Sequence, residues 1–76
     1  MNTSLFAGLC EDADLEVEFN NNLTTVTTPA GTLLATINED AAALYRIDTY
    51  GANKEQAIKV TEIVATYALT PIEERE

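Results

Sequence analysis

Asp14-Leu15-Glu16-Val17-Glu18-Phe19 alternates acidic and apolar residues at a strict period of two. Strand side chains point alternately to opposite faces, so this stretch predicts a strand with Leu15, Val17 and Phe19 toward a core and Asp14, Glu16 and Glu18 toward solvent. Asn20-Asn21-Asn22 follows as a turn signal, because Asn tolerates left-handed backbone, and Leu23 to Thr28 is β-branched enough for a second strand. The two read as a hairpin.

Pro29-Ala30-Gly31 breaks the pattern before Thr32 to Ile37 resumes as a third strand. Residues 38 to 44 are ambiguous: Asn38 can cap a helical turn through Ala41-Ala42-Ala43-Leu44, with Glu39 and Asp40 favourable near its start. Leu44 to Tyr50 favours a fourth strand, with Tyr45, Ile47 and Thr49 on one side. Asn53 with Gln56 three residues on is a capping pair that starts a helix through about Leu69. Upstream, residues 3 to 12 read as a short helix capped by Thr3 or Ser4 and weakened by Gly8. The expected fold is α+β: an antiparallel meander of three or four strands with a C-terminal helix on one face and a short N-terminal helix before it.

At 100° per residue, Ala57, Val60, Ile63, Val64, Tyr67 and Ala68 form a broad apolar stripe on the C-terminal helix. Ile58, Ala65 and Leu69 carry apolar surface much further round. Either the N-terminal segment covers that second side, or it meets another protein or a second copy, which makes Ile58, Ala65 and Leu69 the candidate self-association residues. Thr70-Pro71-Ile72-Glu73 is a further start signal, with Thr as cap and Pro first in the turn. Residues 70 to 76 therefore read as an acidic tail or as the opening of a further segment.

Seventy-six residues make one small domain. Size scaling gives a folded surface of roughly 4,600 Å² and hides only about 60% of the unfolded chain's surface, so the core is thin and a large enclosed substrate cavity is not expected. Stability from a partner fits so small a core.

The chain has no His and a single Ser, which excludes Ser-His and Cys-His nucleophile pairs. Gly8, Gly31 and Gly51 are scattered, so no phosphate-cradling glycine loop exists. Asp12, Asp14, Glu16 and Glu18 mimic the start of a calcium loop, but Val17 stands where that loop needs Gly and Leu23 where it needs Glu. No catalytic residue, metal site or cofactor is implied, and the expectation is a non-enzyme. Cys10 has no internal disulfide partner and reads as a buried, inert thiol, with Glu11, Asp12 and Asp14 raising its pKa. The N-terminus shows no signal peptide, and the chain reads as cytoplasmic, in a bacterial host cell.

Charge is the one functional pointer. Thirteen Asp and Glu against four Lys and Arg leave a formal charge of -9, which disfavours direct contact with nucleic acid or an anionic membrane and favours a basic protein surface. Acids two apart on a strand repeat at about 6.6 Å, comparable to the spacing of successive phosphates on a nucleic-acid strand. Asp14, Glu16 and Glu18 are the first partner-binding candidates. Glu39, Asp40 and Asp48 are weaker ones, and Glu11 and Asp12 widen the set.

The ending Tyr67-Ala68-Leu69-Thr70-Pro71-Ile72-Glu73-Glu74-Arg75-Glu76, after Tyr45-Arg46-Ile47-Asp48, resembles small acidic proteins of phages and prophages from Gram-positive bacteria. In size, acidity and element order the chain also resembles the phage anti-CRISPR inhibitors, some of which imitate DNA on RNA-guided nucleases. That resemblance implies an inhibitor occupying the basic nucleic-acid-binding surface of such a nuclease. A structural or assembly module pairing through the C-terminal helix, and the N-terminal domain of a longer protein, are the competing readings.

Overall fold

The computed structural model describes residues 1–76. Its order is α1 (Thr3–Asp12), β1 (Glu16–Asn20), β2 (Leu23–Thr27), β3 (Leu33–Asn38), β4 (Tyr45–Ile47), α2 (Lys54–Ala68) and a closing 3-10 turn, Ile72–Glu74. The four strands form one antiparallel sheet in the order β1-β2-β3-β4, a meander, with both helices on one face. This is the α+β fold that the sequence patterns predict.

β1 begins two residues later than the alternation suggests. Asp14 takes a left-handed φ of 61, and the Leu15 N–H bonds the Cys10 carbonyl at 2.8 Å, so both residues close the end of α1 instead of extending the strand. The hairpin turn is Asn21-Asn22, with Asn21 at φ 53 in the first central position, where primed hairpin turns need positive φ. Asn20 and Leu23 flank it as partners. Gly31, at φ 91, supplies the left-handed step of the next turn.

Across the sheet, Val17, Val26, Ala35 and Ile47 are successive partners on the helix-covered face. Glu18, Thr25, Thr36 and Arg46 are successive partners on the other. A register shift between Val26 and Thr27 lets both Leu34 and Ala35 turn inward, where they are buried. Phe6 and Cys10 of α1, Leu15, Val26 of β2, Leu34, Ala35 and Ile37 of β3, and Val60, Val64, Tyr67 and Ala68 of α2 make an eleven-residue apolar core, as thin as the chain length demands. The folded surface is 4626 Å².

Four local expectations need correction. The cap of α1 is Asn2, whose side chain accepts from the Leu5 N–H at 2.8 Å, and not Thr3 or Ser4. Residues 38 to 44 form no helical turn. The Asn38 side chain accepts from the N–H groups of Asp40 and Ala41, an Asx arrangement that satisfies the same groups without winding a helix. β4 is only three residues long. Thr70 does not cap the last turn, because its hydroxyl donates back to the Thr66 carbonyl while accepting from the Met1 amino group. The Asn53–Gln56 capping box is present in full.

Residues 70 to 75 are not a loose tail. They fold back so that Arg75 is buried, and its carbonyl accepts from the Thr3 N–H at 2.6 Å, tying the end of the chain to its beginning. No helix is long and apolar enough to cross a membrane.

Candidate partner-binding surface

Two populations of carboxylate emerge from this fold. Every Asp and Glu except Glu39 is exposed. Glu39 lies just past β3, where its N–H bonds the Asn22 carbonyl and its side chain turns inward. There it accepts from the Tyr67 hydroxyl at 3.0 Å and from the Thr24 hydroxyl, and it meets Arg75 Nη1 at 3.0 Å with only 19% of its side chain exposed.

Arg75 also donates to the carbonyls of Thr70, Asn38 and Ala68, and its guanidinium lies 4.8 Å from the centre of the Tyr67 ring. Phe6 stacks on that ring with centroids 4.1 Å apart. Burial pushes the Tyr67 hydroxyl pKa up. No buried side-chain polar atom is left without a partner. The cluster is a closed structural network, so Glu39 does not belong to an exterior set of acids.

Sequence reasoning did not find this network. Glu39 and Arg75 are 36 residues apart, and Arg75 sits in an acidic run that reads as solvated. The one available signal was Tyr67, a residue on an apolar stripe whose hydroxyl needs a polar partner when buried.

The internal pair removes one acid and one base together, so the exterior keeps the full -9. Lys59 is engaged with Glu55 at 3.2 Å, and neither Lys54 nor Arg46 forms an ion pair. Glu11 and Asp12 in the last turn of α1, Asp14 in the turn and Glu16 and Glu18 on β1 are thus consecutive exposed carboxylates with no cationic partner. Only Glu16 and Glu18 share the strand spacing, since Asp14 lies in the left-handed turn. No three acids converge as a metal cage would require.

Glu11 and Asp12 also oppose local electrostatics. A helix C-terminus carries a partial negative charge, which disfavours acids there by about 0.3–1 kcal/mol each. The last turn of α1 holds no base to offset them.

The remaining candidates lie elsewhere. Asp40 is exposed in the Asn38 turn, and Asp48 follows β4, where its side chain accepts from the Tyr50 N–H at 3.1 Å. Three strand intervals, about 14 Å, separate β1 from the β4 edge, so the structure does not join Asp48 to the β1 acids. On α2, α1 covers the Ile63 side, while Ile58 at 50% and Leu69 at 58% stay exposed and Ala65 is partly covered.

Cys10 is buried, and its thiol pKa is pushed up to about 11. The direction is the one its acidic neighbours suggested. The cause is burial instead. Two shallow clefts, of about 140 Å³ beside Leu33 and Arg46 and about 250 Å³ between Leu9 and Ile63, fall below the roughly 300 Å³ at which small-molecule pockets begin.

No family model matches the chain, and no curated protein and no solved structure matches it either.

Proposed function

We propose that this chain is a non-enzymatic, phage-type binding protein that presents Glu11, Asp12, Asp14, Glu16 and Glu18 to the basic nucleic-acid-binding surface of another protein, with an RNA-guided nuclease as the named target. The observation that carries this reading is the placement of consecutive acids, unpaired and partly at the unfavourable end of α1. Acids placed for solubility alone gain nothing from that position. Local rules broken without structural compensation point to a functional surface.

In this reading the carboxylates take the place of phosphates against Lys and Arg, and long-range attraction speeds encounter. The test is target-DNA cleavage by a guide-loaded Cas9-type nuclease with increasing amounts of the chain. The expected result is inhibition by the parent and at least tenfold weaker inhibition by the Glu16→Lys/Glu18→Lys variant. Asp14 is left unchanged there because its left-handed φ tolerates Asp better than Lys. Full cleavage at saturating parent chain removes the nuclease from this reading. Equal inhibition by both proteins removes the acidic surface from it.

A self-associating module rests on the exposure of Ile58 and Leu69. The N–H of Ala43 bonds the Ala68 carbonyl at 2.8 Å, which brings Leu44, 58% exposed, to the same end of α2 as Leu69. Sedimentation across a concentration series separates the readings: an association abolished by Leu69→Glu supports the module.

A further inference from the structure

β1 is an edge strand, and its outer edge carries unused backbone groups. A two-residue hairpin closes on a hydrogen-bonded pair at the residues flanking the turn, here Asn20 and Leu23. Bonded and non-bonded pairs then alternate, so Glu16 and Glu18 bond to β2 while the N–H and C=O of Val17 and Phe19 point away from the sheet. The rest of the sheet obeys the same alternation: Asn38 N–H bonds Leu44 O at 2.9 Å, and Asp48 N–H bonds Leu34 O at 2.8 Å. No turn, cap or loop group bonds the backbone of Val17 or Phe19.

This edge lacks most of the devices that blunt an exposed strand. β1 is five residues long, it contains no Pro, and its pairing with β2 runs without a bulge. β4, the opposite edge, is three residues long. Phe19 is 48% exposed at the open rim, touching Phe6 edge-to-face at 6.5 Å. The only protection is the charge of Glu16 and Glu18, and that charge chooses the occupant. A second copy paired through the same edge would bring like charges together, which destabilises a ladder. An extended segment with cations opposite Glu16 and Glu18 would be stabilised instead.

We infer that β1 accepts a fifth strand from its partner: an extended segment with Lys or Arg at alternate positions and apolar residues between them. The backbone of Val17 and Phe19 supplies the ladder bonds, Glu16 and Glu18 pair with the cations on the open face, and Val17 and Phe19 receive the apolar side chains. This mode rests on the acidic-surface reading above and specifies how that surface is engaged.

The probe is a blocked Lys-Val-Lys-Val-Lys peptide, with Lys-Gly-Lys-Gly-Lys as an equally charged control of low strand propensity. The chain is short enough for total synthesis, which allows N-methylation of Val17 without altering its side chain; Val17→Pro is the recombinant counterpart, since Pro is tolerated where an edge N–H faces solvent. At low salt the alternating peptide is expected to bind at least tenfold more tightly than the glycine control. It should slow amide exchange at Val17 and Phe19 at least tenfold, and lose at least tenfold in affinity to the N-methylated chain.

Equal binding by the N-methylated chain, or unchanged exchange at Val17 and Phe19, overturns strand addition. If Glu16→Lys/Glu18→Lys abolishes peptide binding in that case, the acidic surface stands and only its mode is lost. No binding at millimolar peptide also overturns strand addition, and parent dimers dispersed by N-methylation would make a second copy the occupant.

Discussion

Glu18 and Glu39 are the same residue type, one on β1 and the other just past the end of β3, and their surroundings give them opposite roles. Glu39 is enclosed by Arg75, Tyr67 and Thr24, so its charge is matched inside the fold. Glu18 stands on the open face of an edge strand, in a row whose only cation, Arg46, lies at the far edge. The difference teaches that net charge says little until each acid is assigned a partner. One of thirteen is structural in this way, and the remainder set the exterior field.

The severest way to break the comparison is Arg75→Ala. It strands the Glu39 carboxylate and the carbonyls of Thr70, Asn38 and Ala68 in a partly or fully dry site, and loss of one partner of a buried ion pair costs about 3–5 kcal/mol. In a domain this small, urea unfolding should show loss of most or all cooperative folding. Glu18→Ala should leave the midpoint within about 0.5 kcal/mol of the parent, because nothing in the structure depends on it.

Alkaline pH probes the same core through Cys10. Its folded pKa of about 11 exceeds the ordinary value of 9.0, so the native state holds the proton more tightly. The corresponding stability is fully present below pH 9 and is lost as pH rises through 11, by roughly 2–3 kcal/mol in total. Tyr67, raised by burial, adds loss of the same sign. Urea midpoints between pH 8 and 11 should fall steeply in the parent and less steeply in Cys10→Ala, although that variant starts lower because of the cavity it leaves.

Glu11→Lys/Asp12→Lys has a small expected effect on folding, opposite in sign to those of Arg75→Ala and alkaline pH. Cations at the end of α1 complement its dipole, so the variant should gain about 0.5–1 kcal/mol in thermal or urea unfolding while binding its partner less well. A gain in stability together with unchanged binding would mark these acids as ordinary surface.

Much of this arrangement was legible from residue order. β1 declared itself through strict alternation, the hairpin through three consecutive Asn residues, and α2 through its Asn53 and Gln56 cap. Residues 38 to 44 were not legible, because an Asn side chain satisfies backbone N–H groups equally well in a helix cap and in an Asx turn. The inward turn of Glu39 depends on Arg75 arriving from the other end of the chain, a contact with no local signature. Asp14 missed the strand because closing α1 required a left-handed residue there. The strand-spaced acidic row on β1 is therefore one residue shorter than the alternation predicts, and Glu11 and Asp12 precede it on the last turn of α1.

The most direct test of the acidic surface is the salt dependence of direct binding between this chain and a guide-loaded Cas9-type nuclease. Binding by the parent should weaken steeply as salt rises, and the Glu16→Lys/Glu18→Lys variant should bind weakly at low salt with a much shallower dependence. Identical slopes and affinities for the two proteins would contradict the claim that these carboxylates make the contact.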